Sequence, residues 1–270
     1  MEELLTQVAQ QVQRMAWGKY RGFVADNADP DKRARLRLMV PSVLADQVTG
    51  WALPCLPFGG LADQGWFAVP EVDAQVWVEF EEGDLSRPVW TGTFWQKSGD
   101  PPAEAAVDPP TTRLLKTPGG HLVELDDKEG EERFFLSHPK GAEVEIDKEG
   151  TVKVTDAKGA TITLDAEAGK VILEDSNGNT LTMSSSGTTV EDANGNKVEM
   201  AAAGVTVSGQ KVVVKGSQVM LAGEGGEPII KGQSFLQLFM THMHPTAMGP
   251  SGPPIPQGEM STLSMKVTTS

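Results

Sequence analysis

A short repeat that begins with glycine occupies much of the second half of the chain and restricts what the chain can fold into. Four of these glycines, Gly141, Gly159, Gly178 and Gly195, are separated by 18, 19 and 17 residues. Each starts a segment in which apolar and polar residues alternate, and a second short strand follows it, as in GATITLD and then KVILED. A less regular copy, GGHLVELD, begins at Gly119. A period of about 20 residues with two short strands per copy indicates a solenoid or fibre rather than a globular domain.

Each strand of the repeat is too narrow to build a core from one chain. Because alternate residues of a strand share a face, each strand offers only two apolar side chains to one side. These pairs are Val144/Ile146, Val152/Val154, Ile162/Leu164, Leu181/Met183, Val198/Met200 and Val205/Val207. Three chains that present such faces to a common axis can enclose a core. The repeats therefore predict an intertwined three-chain β-helix needle and a homotrimer.

The charges of the repeat agree with a solvated outer face. Residues 119–200 contain 18 acidic and 8 basic side chains, a net charge of −10 out of −14 for the chain. The charged residues fall at the alternate, outward positions Glu143, Glu145, Lys153, Asp165, Glu174, Asp192 and Glu199. Such a face keeps a β-fibre in solution and opposes edge pairing. The acidic balance also disfavours a nucleic-acid groove, which needs clustered cations.

The composition divides the remaining chain into further segments. The fold class is all-β, with residues 1–16 as an amphipathic N-terminal helix that either packs on its own domain or docks to a partner. Residues 17–95 read as a small barrel of short strands, 96–118 as a Pro-rich spacer, 119–232 as the needle and 233–270 as a tip segment. The barrel segment holds all six tryptophans, which are expected to fill its interior: Trp17, Trp51, Trp66, Trp77, Trp90 and Trp95.

The cellular context follows from three further features. The single cysteine, Cys55, allows no intramolecular disulfide and fits synthesis in a reducing compartment. The N-terminal sequence lacks the pattern of a signal peptide, and no run of residues is apolar enough to span a membrane. The expectation is synthesis in the cytoplasm without a signal peptide.

The barrel segment resembles a known family in the order and spacing of its motifs. KYRGFVADNADPDKRARLRLMVPSV, WALPCLPF and GWFAVPEVDAQVWVEFEEGDLSRPVWTG are similar to the oligonucleotide/oligosaccharide-binding (OB) barrel of phage baseplate assembly protein V and VgrG-type spike proteins. One residue departs from the pattern, because Asp73 stands where the family usually has glycine after Pro-Glu-Val.

The resemblance implies the central spike of a contractile injection system, such as a phage tail, a phage-tail-like particle or a type VI secretion system. It implies a trimer whose barrel lies under a hub and whose needle points at the target membrane, in a virion or injection particle. The N-terminal helix would contact the hub or inner tube. The far end would pierce the envelope or carry a PAAR-like tip or effector protein.

Two of the four histidines have the spacing of metal ligands. His242 and His244 would face the same side of an extended strand, so a trimer would bring six imidazoles around one axis. Some spikes that this chain resembles bind iron at such a motif, which implies iron or another transition metal here. The alternative is that both histidines are surface residues beside a proline turn.

Signals for catalysis are missing from the sequence. It contains no nucleophile elbow and no phosphate-binding loop, and its carboxylates lie on the repeat exterior rather than in an apolar pocket. The sequence therefore predicts a protein that is not an enzyme. Five cations cluster in the barrel segment, Arg21, Lys32, Arg33, Arg35 and Arg37, but Glu79, Glu81, Glu82 and Asp84 offset them. The alternative function is a carbohydrate-binding module on a β-solenoid stalk.

Overall fold

The computed structural model describes residues 15–217, 219 and 230–255 of the chain. The chain divides into two compact units, Met1–Thr206 and Val207–Ser270. Strands dominate the described residues, which confirms the all-β prediction. The helix predicted over residues 1–16 falls almost entirely outside the described residues. Among the helices that the structure describes, none is long and apolar enough to cross a membrane.

A curled sheet of five strands forms the first part of the larger unit. Its strands are β1 (Tyr20–Asp26), β2 (Arg37–Met39), β3 (Leu53–Pro54), β4 (Gln75–Phe80) and β5 (Pro88–Thr93), with a short helix α1 (Pro41–Leu44) after β2. The spatial order is β2-β1-β4-β5-β3, and only β3 and β5 run parallel. We call these strands the barrel sheet.

The core of the barrel sheet comes from the alternation of its strands. In β4, the side chains of Val76, Val78 and Phe80 are buried while the residues between them are only partly covered. These three pack with apolar residues of the neighbouring strands and loops, which are Ala16, Val24, Leu36, Leu38, Val40, Ala52 and Trp90. The alternation that predicted strands thus places one apolar row inside the sheet.

The structure corrects two expectations about the barrel. The segment WFAVPE lies within residues 17–95, which the sequence reads as short strands, but it contains no strand and belongs to a loop. Trp90 is buried, but Trp17, Trp66 and Trp95 keep more than half of their surface exposed. Small aliphatic side chains fill most of the interior, so the tryptophans of the loops and strand ends are not needed there.

Eleven strands form a second sheet, which we call the repeat sheet. They are β6 (Thr112–Lys116), β7 (Leu122–Asp126), β8 (Arg133–Ser137), β9 (Glu143–Ile146), β10 (Val152–Thr155), β11 (Thr161–Asp165), β12 (Lys170–Glu174), β13 (Thr180–Ser184), β14 (Gly187–Glu191), β15 (Lys197–Ala201) and β16 (Gly204–Ser208). Their order in the sheet is their order in the chain, and the registered pairs are antiparallel. The ladder hydrogen bonds of one chain therefore join consecutive strands.

The repeat sheet begins inside the segment that the sequence assigned to the spacer. Strand β6 covers Thr112–Lys116, and a 3-10 turn at Ala103–Ala105 precedes it. Glu104 of this turn accepts a hydrogen bond from Lys116 Nζ at 2.5 Å. This ion pair connects the Pro-rich segment to β6. No glycine of the repeat precedes β6, so the repeat pattern did not predict this strand.

The second unit contains one helix and a small hairpin among its described residues. Helix α2 spans Gly232–Thr241, and strands β17 (Pro245–Thr246) and β18 (Gly249–Pro250) pair after it. His242 and His244 lie between the helix and the hairpin.

Candidate functional site

The register of the repeat sheet aligns apolar residues of β6 to β15 on one face. Val152 and Val154 lie opposite Ile146 and Val144 on one side, and opposite Leu164 and Ile162 on the other. The pairing continues through the neighbouring strands, so the two-residue-wide apolar stripe runs along the sheet. We call it the apolar ladder: Leu115, Val123/Leu125, Phe134/Leu136, Val144/Ile146, Val152/Val154, Ile162/Leu164, Val171/Leu173, Leu181/Met183, Val190 and Val198/Met200.

The register agrees with the face predicted from the sequence and extends it. Sequence reasoning did not assign Val171/Leu173 of β12 or Phe134/Leu136 of β8 to the ladder. Each of these strands has three consecutive apolar residues, so its sequence alone does not tell which of them face the ladder.

The apolar ladder is open to solvent in a single chain. Leu164 keeps 47% of its surface exposed, and Ile162, Met183 and Val190 are similarly exposed. A contiguous apolar face of this extent marks an interaction surface, because soluble proteins rarely leave such patches uncovered. The ladder therefore requires a partner.

The opposite face of the repeat sheet carries charges that are paired across strands. Glu145 lies directly opposite Lys153, Asp165 opposite Lys170, and Glu191 opposite Lys197. Opposite charges in such positions favour the register, whereas like charges would oppose it. The predicted outward positions lie on this face, except that Asp192 belongs to a turn rather than to a strand.

At one end of the strands of the repeat sheet, five turns share the same design, each with glycine at its fourth position. They are Thr117–His121, His138–Ala142, Asp156–Ala160, Asp175–Asn179 and Asp192–Asn196. The fourth residue has a positive φ between 80° and 91° in all of them, which glycine adopts without strain. The first side chain accepts backbone N–H groups of the turn, as in the bonds of 2.8 and 2.9 Å from Asn177 and Asn179 to Asp175 Oδ1.

These donors change the pKa values of the turn aspartates. The side-chain amide of Asn179, followed by the backbone N–H groups of Asn179 and Asn177, holds the pKa of Asp175 well below its usual value. The side-chain amide of Asn196 does the same for the pKa of Asp192. The aspartates thus act as ionised anchors of the turns, which assigns them a structural role.

The cations of the barrel are engaged by neighbouring groups. Arg35 forms a bond of 2.6 Å with the buried carboxylate of Asp29 and one of 2.7 Å with Asp31. The Arg35 side chain is the main reason that the pKa of Asp29 lies well below its usual value. Arg21 stands over the rings of Trp77 and Phe94. The turn at Asp29-Pro30 is therefore stabilised by the ion pair between Asp29 and Arg35.

An aromatic groove opens at one end of the barrel sheet, with a volume of about 860 Å³. Trp66, Trp90 and Trp95 line it, together with Gln75 and Asp100. The Trp66 and Trp95 rings are exposed, while the ring N–H of Trp90 donates to the Ala34 carbonyl at 2.9 Å. The sequence contained the tryptophans, but it did not reveal that two of them would form an open wall.

The two histidines of the predicted metal motif lie side by side. The ring centroids of His242 and His244 are 5.0 Å apart, and the rings are nearly perpendicular. Nδ1 of His242 contacts the Phe239 carbonyl, which can only accept, so Nδ1 carries the proton and Nε2 keeps its lone pair. A second nitrogen that donates to a carbonyl is the usual support of a metal-binding imidazole. The residues therefore fit a transition metal.

The other two histidines do not have this arrangement. His121 and His138 are 4.8 Å apart between ring centroids, but Nδ1 of His138 accepts the Lys140 N–H at 3.1 Å. In a neutral ring the proton must then sit on Nε2, which leaves no outward lone pair for a metal. Among the described residues of one chain, no three His, Cys, Asp or Glu side chains converge on a metal position. A site at His242 and His244 would need ligands from further chains.

Two family descriptions match consecutive parts of the chain. Residues 20–95 match the type VI secretion system/phage-baseplate injector OB domain, and residues 112–168 match the phage baseplate V C-terminal trimerisation domain. The second match covers β6 to β11, so it contains more than half of the apolar ladder. This match supports a homotrimer.

Solved structures show a much weaker likeness. The G-box domain of the microcephaly protein CPAP is 12% identical, with 68% of this chain and 90% of that chain covered and a TM-score of 0.26. The SAS-4 TCP domain of Drosophila melanogaster, solved with a proline-rich motif of Ana2, is 12% identical, with 57% and 99% covered and the same TM-score. Such values carry no argument about this chain. The comparison with curated proteins found no match.

The match to the injector OB domain covers the barrel sheet, and the match to the trimerisation domain covers the first part of the repeat sheet. The predicted apolar face belongs to the repeat sheet. These two matches support a spike protein of the phage baseplate V and VgrG type.

Proposed function

We propose that the chain forms the trimeric central spike of a contractile injection system, which caps the tube and hub and pierces the target envelope. The observation that supports this most directly is the apolar ladder, which runs through the strands of the trimerisation domain and is exposed in one chain. Three such faces around a common axis would form a continuous dry core. Burying them would contribute roughly 25 cal/mol for each Å² of apolar surface.

The proposed action is mechanical. Each internal strand of the repeat sheet is hydrogen-bonded on both sides to its sequence neighbours, at a spacing of about 4.8 Å per strand. With a closed apolar axis, such a stack resists bending, so a contracting sheath would transmit force through it. The paired charges of the outer face would keep the needle in solution.

A non-enzymatic role is supported by the ionisation of the carboxyl groups. A general acid needs a carboxyl group whose pKa is raised by an apolar pocket. In the described part of the chain, the resolved shifts of carboxyl groups all lower the pKa, as at Asp29, Asp84, Asp156, Asp175 and Asp192. The Arg35 side chain is the main cause at Asp29, and hydrogen bonds from turn donors cause the other shifts, which is the pattern of structural carboxylates.

The proposed partners lie at the two ends of the chain. Ala16 is buried against the barrel sheet, and its N–H donates to the Gly83 carbonyl at 2.9 Å, so the preceding residues start from the barrel. We propose that they contact the hub and baseplate. The C-terminal end would meet the target membrane transiently, or would carry a PAAR-like tip or an effector.

We also propose that His242 and His244 bind iron or another transition metal as a set shared by three chains. The support is the tautomer of His242, whose Nε2 remains available, and the closeness of the two rings. A bound metal would cross-link the three chains and stiffen the tip.

Light scattering on the purified full chain tests the proposed function. Three chains of 28.8 kDa give a mass near 86 kDa, whereas a mass near 29 kDa would contradict the spike. Elemental analysis of the same sample tests whether iron or another transition metal copurifies with the chain. The double variant His242→Ala/His244→Ala should contain none of that metal.

The aromatic groove keeps a carbohydrate-binding module as the second candidate function. Exposed tryptophan faces beside polar groups are suited to sugar rings, and Trp66 and Trp95 have this arrangement beside Asp100. This candidate predicts a saccharide-dependent change in tryptophan fluorescence that Trp95→Ala removes. Unchanged fluorescence over a panel of envelope saccharides would exclude it.

A further inference from the structure

Helix α2 carries an apolar stripe that its own chain leaves open. Phe235, Leu238, Phe239 and His242 follow one another at spacings of three, one and three residues, so they lie on one side of a helix with 3.6 residues per turn. Leu238 is 68% exposed, and the two phenylalanines are also exposed. We call these four residues the tip seam.

The other side of α2 is already covered within the chain. Leu236 is 7% exposed and Met240 is partly buried, and they lie about 110° and about 150° around the helix from the middle of the tip seam. One apolar side of α2 is therefore covered within the chain, and a second apolar side, the tip seam, is exposed to solvent. The rings of Phe235 and Phe239 are 6.2 Å apart and stacked, which gives the seam a continuous aromatic surface.

The charge of this region favours identical copies as its partner. Residues 232–255 contain no Asp, Glu, Lys or Arg, in a chain whose net charge is −14. Three copies of an acidic segment brought together would repel one another, whereas this segment has no such cost. The spacing of the tip seam is that of helices that associate side by side. The trimerisation domain already brings three copies of the chain together.

We infer that the tip seam packs against the same seam of the two other copies, so that α2 closes the trimer as a three-helix contact. This inference rests on the proposed homotrimer. Its consequence is that His242, the last residue of the seam, comes to the contact of the three chains. The helix then acts as the positioning device that gathers the histidines, before any metal is bound.

Cysteine cross-linking tests the contact, because Cys55 is the only native cysteine. In a Cys55→Ser background, Leu238→Cys places one thiol on the tip seam. Gln237→Cys places it about 100° around the same helix from Leu238 and about 150° from the middle of the tip seam, and it is the matched control. Mild oxidation of the trimer should join two of the three Leu238→Cys chains by a disulfide, while the control chains remain separate.

A second measurement covers the case in which the seam thiols are close but cannot form a disulfide. A maleimide should modify Leu238→Cys about tenfold more slowly than Gln237→Cys in the trimer, since a buried position reacts only when the structure opens. Equal rates together with no cross-link would overturn the inference. The same holds if Leu238→Cys becomes protected only when vesicles of phosphatidylethanolamine and phosphatidylglycerol are added, because the partner would then be a membrane.

The mass of each variant distinguishes failure of the helix contact from failure of the proposed trimeric spike. A mass near 86 kDa with an unprotected seam would contradict the helix contact and leave the proposed spike intact. A mass near 29 kDa for the Cys55→Ser parent would contradict the proposed spike itself.

Discussion

Asp73 shows how a single residue can depart from a family pattern at a position where the backbone makes the difference matter. Its φ is +68°, in the left-handed region that glycine occupies without strain, and its N–H donates to the Val24 carbonyl at 2.9 Å. The family usually has glycine there, and the structure supplies the reason. We therefore expect aspartate at this position to be less stable than glycine.

The first prediction is that Asp73→Gly raises the stability of the barrel. The gain should be small, about 0.5 kcal/mol, because the relief of backbone strain exceeds the added entropy of glycine in the unfolded chain. Asp73→Ala is the control and should lower stability, since alanine tolerates the left-handed region less well than aspartate. Thermal melting of the three proteins checks this, and a lower melting temperature for Asp73→Gly would contradict it.

Gly187 is required for a different reason, which is the close approach of a neighbouring strand. Its φ is +143°, and a Cβ built there would lie 2.0 Å from the carbonyl oxygen of Met200 in β15. The obstacle is backbone, so a side chain cannot simply turn away. By contrast, a Cβ at Gly195 would meet nothing within 4 Å.

The second prediction is that Gly187→Ala disrupts the pairing of β14 and β15. We expect a loss of about 2 kcal/mol or more, in the range typical of backbone conflicts. Gly195→Ala should cost only about 1 kcal/mol, from its positive φ alone. Denaturant unfolding of both variants measures the difference. Equal losses would mean that β14 and β15 are not paired in this register.

The turns form the scale at which sequence and structure agree best. In each turn, the first residue and the glycine at the fourth position recur at nearly constant spacing before a strand. The first residue accepts hydrogen bonds within the turn and the glycine adopts a positive φ, so both effects are local. His138 occupies the place of the turn aspartates and uses Nδ1 as their carboxylate oxygen is used. The sequence analysis considered the histidines only as possible metal ligands, although His138 and Asp156 both stand three residues before a repeat glycine.

The third prediction concerns acid stability of the turns. Because hydrogen bonds lower the pKa of Asp175 in the folded state, its contribution is complete above the unfolded value near 4 and is lost as the pH falls through the folded value. The melting temperature at fixed protein concentration should therefore fall between about pH 5 and 2. Asp175→Asn keeps an oxygen acceptor but does not titrate, so its deficit at pH 7 should shrink as the pH falls. A deficit that is constant with pH would contradict this role.

At the scale of the whole molecule, the faces of the repeat sheet assign two different environments to neighbouring residues. Leu164 belongs to the apolar ladder, while Thr163, one residue earlier, lies on the charged face. The tip segment adds a third environment, uncharged over residues 232–255. The charge of the chain is thus placed where a trimer would meet solvent and is absent where we infer that copies meet.

The fourth prediction uses this contrast to test the trimer. Leu164→Asp would bring three carboxylates together at the proposed axis, where burying an unpaired charge is prohibitive, so trimer formation should be lost. Thr163→Asp adds the same charge to the same strand on the solvent face and should keep a mass near 86 kDa. Light scattering compares the two. A Leu164→Asp trimer with unchanged melting would mean that the ladder faces solvent.

The sequence by itself determined the features that depend on neighbours along the chain. Alternation identified the strands and the apolar face of Ile162 and Leu164, and the recurring glycines identified the turns, because period and φ are local properties. Motif order identified the barrel and its family. None of these required knowledge of which strands pair.

The tertiary structure decided what depends on contacts between distant residues. It decided that consecutive strands pair within one chain, that β6 begins at Thr112, and that Trp90 is buried while Trp66 and Trp95 line a groove. It also placed a carbonyl against Nδ1 of His242 and a backbone N–H against Nδ1 of His138, which gives the neutral rings of these two histidines opposite tautomers. The physical reason is that burial and hydrogen bonding are set by the element that arrives opposite a side chain, and the sequence around that side chain does not contain it.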